Sequence, residues 1–289
     1  MKTKPRRRKI KIIIGVAIVV LAIAALMALR DVVESVYIGL HYNGDYESFE
    51  VQSDIANDTY VIHVYLPDDY DPTIAYPTIF VLDGDSDGRP MAGVAAMTDL
   101  DAIVFGVGYG SADEDARERD YTPFVADVVD WAPTGGGEEF YAFMKEELIP
   151  EVESRYLTQG NKHRVLAGHS LAGLATVYAL LNSSQDEALF AGYIAASPTL
   201  PLQENAIFDI EKTLSLNKTD IPAVLYLSIG GRESDEMQQA MYDMASTLNA
   251  NAYPSLTIYT FSRKGRGHGG NNWLSYLDGI RFMQESGVF

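Results

Sequence analysis

The sequence predicts an α/β protein with a mostly parallel sheet of about eight strands, helices on both faces and an N-terminal transmembrane helix. Short apolar runs alternate with helical segments along most of the chain, which is typical of a parallel sheet covered on both faces. Two early runs resemble a hairpin, and a long uncharged run lies near the N-terminus. The 289 residues, 47% of them hydrophobic, are enough to bury one sizeable core.

The N-terminal segment predicts the membrane helix. Seven Lys or Arg residues lie within the first eleven positions, and the 18 residues of Ile12–Leu29 carry no charge. This run exceeds the usual h-region of a signal peptide, about 7–15 residues, although Ala22-Ile23-Ala24 offers a small-residue cleavage pattern. We expect an uncleaved single-pass anchor with a cytoplasmic N-terminus and an extracytoplasmic globular domain, which would be secreted if the segment is cleaved.

Composition divides the chain and excludes some partners. Residues 1–30 form the basic N-terminus and anchor or signal sequence, 31–45 a spacer and 46–289 the globular domain. The first 30 residues hold eight of the 22 Lys and Arg and none of the 40 acids, so 31–289 carry 14 minus 40, or −26. Such a field repels phosphates, which argues against nucleic acid as a partner. The absence of cysteine excludes disulfides, thiolate metal sites and a Cys nucleophile.

Eight apolar runs and two long helical segments carry the fold prediction. FEVQSDI and TYVIHVYLP predict the hairpin; the later runs are YPTIFVLDG, AIVFGVGYG, HRVLAGHS, LFAGYIAASP, VLYLSIGG and SLTIYTF. The clearest helical patterns are EEFYAFMKEELIPEVESRY and NNWLSYLDGIRFMQE. In such sheets ligands bind beyond the carboxyl ends of the strands, so the residues just after each run are the candidates for a site.

A serine lies at the sharpest of these strand ends. HRVLAG followed by HSLAGLATVYALL predicts a strand, a tight turn and a helix with Ser170 at the apex, the pattern of a nucleophile elbow. The pattern Gly-x-Ser-x-Gly would place glycine at 172, where this chain has Ala172, the smallest replacement. The alternative is a serine that only caps a helix.

The candidate base and acid for Ser170 are chosen by their positions after predicted strands. Four of the five histidines lie in the spacer, in an early strand or beside the elbow, whereas His268 follows the last strand in the glycine-rich segment SRKGRGHGGNNW. The chain order Ser, acid, His requires a carboxylate after an intermediate strand. Glu233 is nearest the end of VLYLSIGG and is our choice, with Asp235 as the alternative. All the acids in this segment could instead form the solvated start of a helix.

Two backbone N–H groups are expected to stabilise an oxyanion. One belongs to Leu171, and the other comes from Gly84 or Asp85 after the third apolar run. The segment from Asp83 also matches the front half of a calcium loop, but its twelfth position is Val94 where a bidentate Glu is needed, so we predict no metal.

These motifs resemble the esterase D-like branch of the α/β-hydrolase fold, which includes siderophore esterases, formylglutathione hydrolases, feruloyl esterases and mycolyl transferases. The resemblance extends from about Tyr60 to His268, through VYLPDDYDP, YPTIFVLDGD, RERDYTPF, HRVLAGHSLAGLATVYALL, FAGYIAASPTL and GRGHGG. RERDYTP and the following Gly-Gly-Gly resemble the siderophore-esterase subset most. The family implies ester hydrolysis by Ser170 and His268 through an acyl-enzyme, without a metal or organic cofactor.

Three further side chains are candidate contacts for a small-molecule ester: Arg119, Tyr121 and Trp131. An arginine beside the site would suit a carboxylate or catecholate, although RERD could also be a solvated loop whose charges pair locally. Two alternatives stay open, an acyltransferase using the same acyl-enzyme and an inactive hydrolase-fold binding protein.

Overall fold

The computed structural model describes residues 30–289 apart from 111–115, 129–132 and 185–187, together with residues 13, 16, 18, 19, 26 and 29. Over these residues the chain forms an eight-stranded sheet with helices packed on both faces, which confirms the α/β prediction.

The strands are β1 (Tyr46–Ser53), β2 (Asp58–Tyr65), β3 (Thr78–Leu82), β4 (Ile103–Gly108), β5 (Arg164–His169), β6 (Gly192–Ala196), β7 (Val224–Gly230) and β8 (Thr257–Arg263). The helices are α1 (residues 30–39), α2 (Gly84–Met97), α3 (Ala116–Asp120), α4 (Gly137–Phe143), α5 (Ile149–Arg155), α6 (Leu171–Asn182), α7 (Leu202–Ser215), α8 (Asp235–Ala250) and α9 (Asn272–Glu285). A π-helical turn over Met144–Leu148 joins α4 to α5, and short 3-10 turns cover Asn161–His163 and His268–Gly270.

The strand order is β1-β2-β4-β3-β5-β6-β7-β8. The pairs β1–β2 and β2–β4 are antiparallel, and all the other neighbours are parallel. The early hairpin therefore forms one edge, as its sequence predicts. Because the remaining strands run in one direction, their carboxyl ends meet at a single edge of the sheet.

Alternate residues of the central strands pack against two separate layers of helices. In β3, Ile79 and Val81 face the layer formed by α2 and α9, whereas Phe80 and Leu82 face the layer that contains α4 to α8. All four are essentially inaccessible to solvent. Strands buried on both faces explain why these segments read as continuous apolar runs rather than alternating ones.

One prediction is corrected. The transmembrane helix expected over Ile12–Leu29 is not supported, because within the described parts of the chain every helix is too short or too polar to cross a bilayer. Most of that predicted span, including Ala22-Ile23-Ala24, lies outside the described residues.

The segment predicted as a spacer is helical over residues 30–39 and packs against the domain. Ile38 and Tyr42 are buried in the same layer as α2 and α9. The contact with α2 is close: a Cβ atom added to Gly93 would lie 2.0 Å from the carbonyl oxygen of Ile38. Helix α1 is therefore held against the domain at its C-terminal end.

Candidate active site

The turn between β5 and α6 presents Ser170 at the carboxyl edge of the sheet. Ser170 has φ 61° and ψ −119°, a conformation that non-glycine residues rarely adopt. Strand and helix meet so closely that a Cβ atom on Gly168 would lie 2.3 Å from the carbonyl oxygen of Ala172. Ala172 itself is fully buried at the helix start, so an alanine fits where the usual pattern has glycine.

Ser170, His268 and Glu233 form one continuous run of hydrogen bonds. The distance from Ser170 Oγ to His268 Nε2 is 2.7 Å, and that from His268 Nδ1 to Glu233 Oε2 is 2.6 Å. A carboxylate can only accept, so neutral His268 carries its proton on Nδ1 and Nε2 accepts from the serine hydroxyl. The structure thus brings together the three side chains that the sequence singles out.

Glu233 lies in a socket of hydrogen-bond donors. Its side chain is 2% exposed, and its Oε1 accepts from Ser197 Oγ at 2.5 Å and from the Gly230 N–H at 2.6 Å. Burial alone would raise the pKa of Glu233, but hydrogen bonds from His268, Ser197 and Gly230 outweigh it and lower that pKa below the ordinary value. The carboxylate therefore stays ionised beside the imidazole.

Asp235, the alternative acid, occupies a different position. It is the first residue of α8, it is exposed, and the helix is capped by Ser234, whose side chain accepts from the Met237 N–H. An acid in the first helical turn interacts favourably with the helix dipole. Asp235 therefore has the alternative role given in the sequence analysis, as part of the solvated start of a helix.

His169 contacts the loop that carries His268. Its Nε2 lies 2.9 Å from the His268 carbonyl oxygen, to which it donates, and the two rings are 4.8 Å apart. Burial, together with the nearby His268, lowers the pKa of His169 to about 4, so the ring is neutral at neutral pH. The sequence did not indicate this contact, because proximity to Ser170 along the chain says nothing about where the side chain points.

Ser197 and Asn271 form a second layer behind the acid. Ser197 is fully buried at φ 45° just after β6, and it accepts from Asn271 Nδ2 at 3.0 Å while donating to Glu233. The signal that could have found Ser197 was its place after the apolar run LFAGYIAAS at the carboxyl edge. Thr199, two residues further on, lies with its Oγ1 3.4 Å from Ser170 Oγ.

The candidate oxyanion donors start two neighbouring helices. Leu171 is the first residue of α6, and Gly84 and Asp85 are the first two residues of α2, which follows the adjacent strand β3. The first N–H groups of a helix have no intrahelical acceptor and are free to bind an anion. A Cβ atom on Gly84 would lie 2.2 Å from the Gly106 backbone, so glycine is required there for close packing.

The acids of the segment after β3 are already engaged with protein groups. The carboxylate of Asp83 accepts from Nε and Nη2 of Arg117, at 2.6 and 2.8 Å. Asp85 Oδ1 lies 2.8 Å from His63 Nε2, and Asp87 accepts from Tyr276 Oη at 3.1 Å. Each of the three carboxylates in the segment that resembles half a calcium loop thus binds a side chain of this protein.

An open cleft of about 440 Å³ adjoins the serine. Its lining residues are Arg117, Ser170, Leu171, Thr199, Arg232, Glu233, Ser234, Met237 and His268. Two arginines therefore line the cleft. Arg117 keeps its pKa above the ordinary value, because the ion pair with Asp83 outweighs the effect of burial. Arg232 is exposed, and none of the described carboxylates forms an ion pair with it.

Of the three side chains predicted to contact substrate, the structure describes two, and neither lines the cleft. Arg119 forms ion pairs with Asp58 and Asp120, both at 2.7 Å, and does not line the cleft. Tyr121 is fully buried, and its hydroxyl accepts from the Asp83 N–H at 3.0 Å. Trp131 lies outside the described residues. Arg117 is thus the arginine of RERDYTP that reaches the cleft.

Comparison with known proteins identifies relatives over most of the domain. The family model described as "Putative esterase" matches residues 53–265, a segment that contains Ser170 and Glu233 and ends three residues before His268. The ferri-bacillibactin esterase BesA of Bacillus subtilis (strain 168) is 30% identical over 213 residues, which are 66% of this chain and 72% of BesA.

Solved structures agree with this match. The BES protein from Bacillus cereus superposes with a TM-score of 0.72 at 25% identity, over 83% of this chain and 96% of that one. The siderophore hydrolase EstA from Aspergillus nidulans shares the fold, with a TM-score of 0.67 at 21% identity over 84% and 95% of the two chains. The resemblance predicted from the sequence is confirmed: the chain belongs to this esterase family and is a carboxylic ester hydrolase.

Proposed function

We propose that the chain hydrolyses esters by a serine mechanism in which Ser170 is the nucleophile, His268 the general base and acid, and Glu233 the residue that orients the imidazole. The observation that carries the proposal is the unbroken run of hydrogen bonds from Ser170 Oγ through His268 to Glu233, with separations of 2.7 and 2.6 Å. An ionised, buried carboxylate behind the ring stabilises the imidazolium that forms when the serine is deprotonated.

The steps follow from these positions. Ser170 Oγ attacks the ester carbonyl while its proton passes to His268 Nε2, and negative charge develops on the carbonyl oxygen. The N–H of Leu171 and that of Gly84 or Asp85 stabilise this oxyanion at the starts of α6 and α2. His268 then protonates the departing alcohol. A water molecule, deprotonated by the same ring, attacks the acyl-enzyme, and His268 returns that proton to Ser170 Oγ as the acid is released.

Hydrolysis is favoured over acyl transfer because His268 is 43% exposed and the cleft is open, so water reaches the acyl-enzyme freely. We further propose an anionic ester of the siderophore type as substrate. Two observations support this class: the 30% identical relative BesA is a ferri-bacillibactin esterase, and two arginines, Arg117 and Arg232, line the cleft that adjoins Ser170. Arg232 forms no ion pair with a described carboxylate, and a guanidinium group suits the oxygens of an anionic substrate.

The test compares the unsubstituted chain of 289 residues with Ser170→Ala and His268→Ala on p-nitrophenyl butyrate and on ferri-bacillibactin. We expect each substitution to lower kcat by about 10⁴-fold or more, as for members of a catalytic triad. A fluorophosphonate probe should label the parent and leave Ser170→Ala unlabelled. Equal turnover by parent and Ser170→Ala would refute the serine mechanism, whereas turnover of the p-nitrophenyl ester alone would refute only the substrate class.

A further inference from the structure

Helix α1 contacts the segment that carries His268, here called the His268 loop and comprising residues 264–271 between β8 and α9. The carboxylate of Glu34 binds both terminal nitrogens of Arg266, at 2.7 and 2.8 Å. A Cβ atom on Gly270 would lie 2.8 Å from Asp31 Oδ1, so the start of α1 lies directly against the loop. Glu34 lies outside the segment matched by the esterase family.

Arg266 ties several parts of the loop together. The residue lies two positions before His268, and its Nη1 also donates to the Gly270 carbonyl oxygen at 3.3 Å. Its own carbonyl oxygen accepts from the Arg232 N–H at 2.9 Å, next to Glu233. The side chains of Glu34 and Arg266 are 27% and 17% exposed, so the ion pair is partly shielded from water. The hydrogen bonds with Glu34 raise the pKa of Arg266 above its ordinary value.

The loop is rich in glycine, so its conformation depends on its hydrogen bonds and ion pairs. Four of its eight residues are glycine, which loses more conformational freedom on ordering than other residues. Cβ atoms added to Gly265, Gly267 or Gly269 would meet no atom within 4 Å, so close packing does not require glycine at these three positions. Contacts made by backbone and polar side chains must therefore fix the place of His268.

Helix α1 is well placed to act as a support. Its C-terminal end is anchored by the burial of Ile38 and by the close contact with Gly93 in α2. Its N-terminal turns reach the loop through Asp31 and Glu34, with Asp31 also 3.9 Å from Arg266. A helix fixed at one end can hold a charged side chain against its ion-pair partner at the other.

We propose that Glu34 and Arg266 are positioning residues that hold His268 in line with Ser170 and Glu233, so that the segment before the esterase domain contributes to catalysis. This inference rests on the proposed role of His268. Neither side chain lines the cleft, so their effect should fall on kcat and leave KM nearly unchanged. A displacement of about 1 Å at a reacting group can cost as much as 10²-fold in rate.

The experiment measures kcat and KM on p-nitrophenyl butyrate for the unsubstituted chain of 289 residues, Glu34→Gln, Arg266→Gln and the double variant. We expect each single variant to lower kcat about tenfold, which corresponds to about 1.4 kcal/mol, with KM within about twofold. The double variant should be no slower than either single one, because all three lose the same contact. The charge-exchanged variant Glu34→Arg with Arg266→Glu should recover part of the activity.

Glu151→Gln is the matched control. It removes the carboxylate of another Glu–Arg pair, that of Glu151 with Arg155 on the exposed surface of α5, and kcat should stay within about twofold of the parent. Thermal unfolding of every variant is recorded, and rates are compared at a temperature where all are folded. A purely structural role would lower the melting temperature and leave the kcat of folded protein unchanged.

The outcomes separate this inference from the proposed function. If Ser170→Ala abolishes turnover while both single variants keep kcat within about twofold, the positioning role is refuted and the serine mechanism stands. Additive losses in the double variant would also overturn the inference, because they would show that the two residues act separately. If Ser170→Ala keeps full activity, the proposed function itself is refuted.

Discussion

Ser170 and His268 reach the same cleft from regions that are built in opposite ways. The elbow packs into the core: Leu166, Ala172 and Leu174 around Ser170 are fully buried. In the His268 loop, by contrast, the imidazole is 43% exposed. The closest contact of the elbow, between Gly168 and Ala172, joins residues four positions apart, whereas the loop contacts His169 and Glu34, which are 99 and 232 positions away from the loop residues they meet. The nucleophile can therefore be recognised from a short motif, while the place of the base depends on tertiary structure.

The largest expected effect tests which carboxylate, Glu233 or Asp235, orients the imidazole of the His268 loop. Glu233→Gln should lower kcat by about 10³–10⁴-fold, because an amide can donate to Nδ1 and so favour the wrong imidazole tautomer. Asp235→Asn, two residues away on the exposed start of α8, should change kcat by no more than about twofold. Both are measured on p-nitrophenyl butyrate. A greater loss in Asp235→Asn than in Glu233→Gln would assign the acid to the alternative residue.

A pair of glycine substitutions tests the contrast in packing directly. Gly168→Ala places a Cβ atom 2.3 Å from the Ala172 carbonyl oxygen, so backbone must shift. We expect the free energy of unfolding to fall by about 1–3 kcal/mol and kcat by up to about 10²-fold. Gly267→Ala adds its Cβ atom to open space at φ −100°, and its unfolding free energy should stay within about 0.5–1 kcal/mol of the parent.

Urea unfolding and steady-state kinetics of the two variants provide the measurement. If Gly267→Ala proved as damaging as Gly168→Ala, the loop would be as tightly constrained as the elbow, and the comparison between the two regions would fail.

The same contrast explains how far the sequence could predict the site. Ser170 follows from the strand-turn-helix pattern, and His268 and Glu233 follow from their positions after strand ends, because parallel strands bring those ends to one edge. Arg117 was not selected, since only the structure shows that 116–120 is a helix, where residues two apart point in different directions. Here Arg117 faces the cleft, while Arg119 turns to Asp58.

The fold was more predictable than the supports of the loop. Buried strands are marked by apolar runs, and all eight runs correspond to strands of the sheet. By contrast, residues 30–39 carry a charge pattern compatible with an exposed spacer, and nothing local indicates that Glu34 meets Arg266. Contacts between charged side chains far apart in the chain leave no periodic signal, so they become visible only once the backbone is placed.

The smallest expected effect concerns His169, which joins the two regions by its position beside Ser170 and its bond to the His268 carbonyl oxygen. Its pKa of about 4 lies below the ordinary value of 6.5, so between these pH values the unfolded chain binds more protons than the folded one. His169 therefore lowers the free energy of unfolding as the pH falls from about 6.5 to about 4, a contribution absent above 6.5.

His169→Gln keeps a donor for the carbonyl oxygen but cannot titrate, so its unfolding free energy should depend less on pH in this window and match the parent's pH dependence above it. Urea unfolding of both proteins at several pH values from 4 to 8 measures the difference. Parallel pH profiles across the window would mean that His169 is protonated as readily in the folded protein as in water. Its ring would then not be buried between the elbow and the His268 loop.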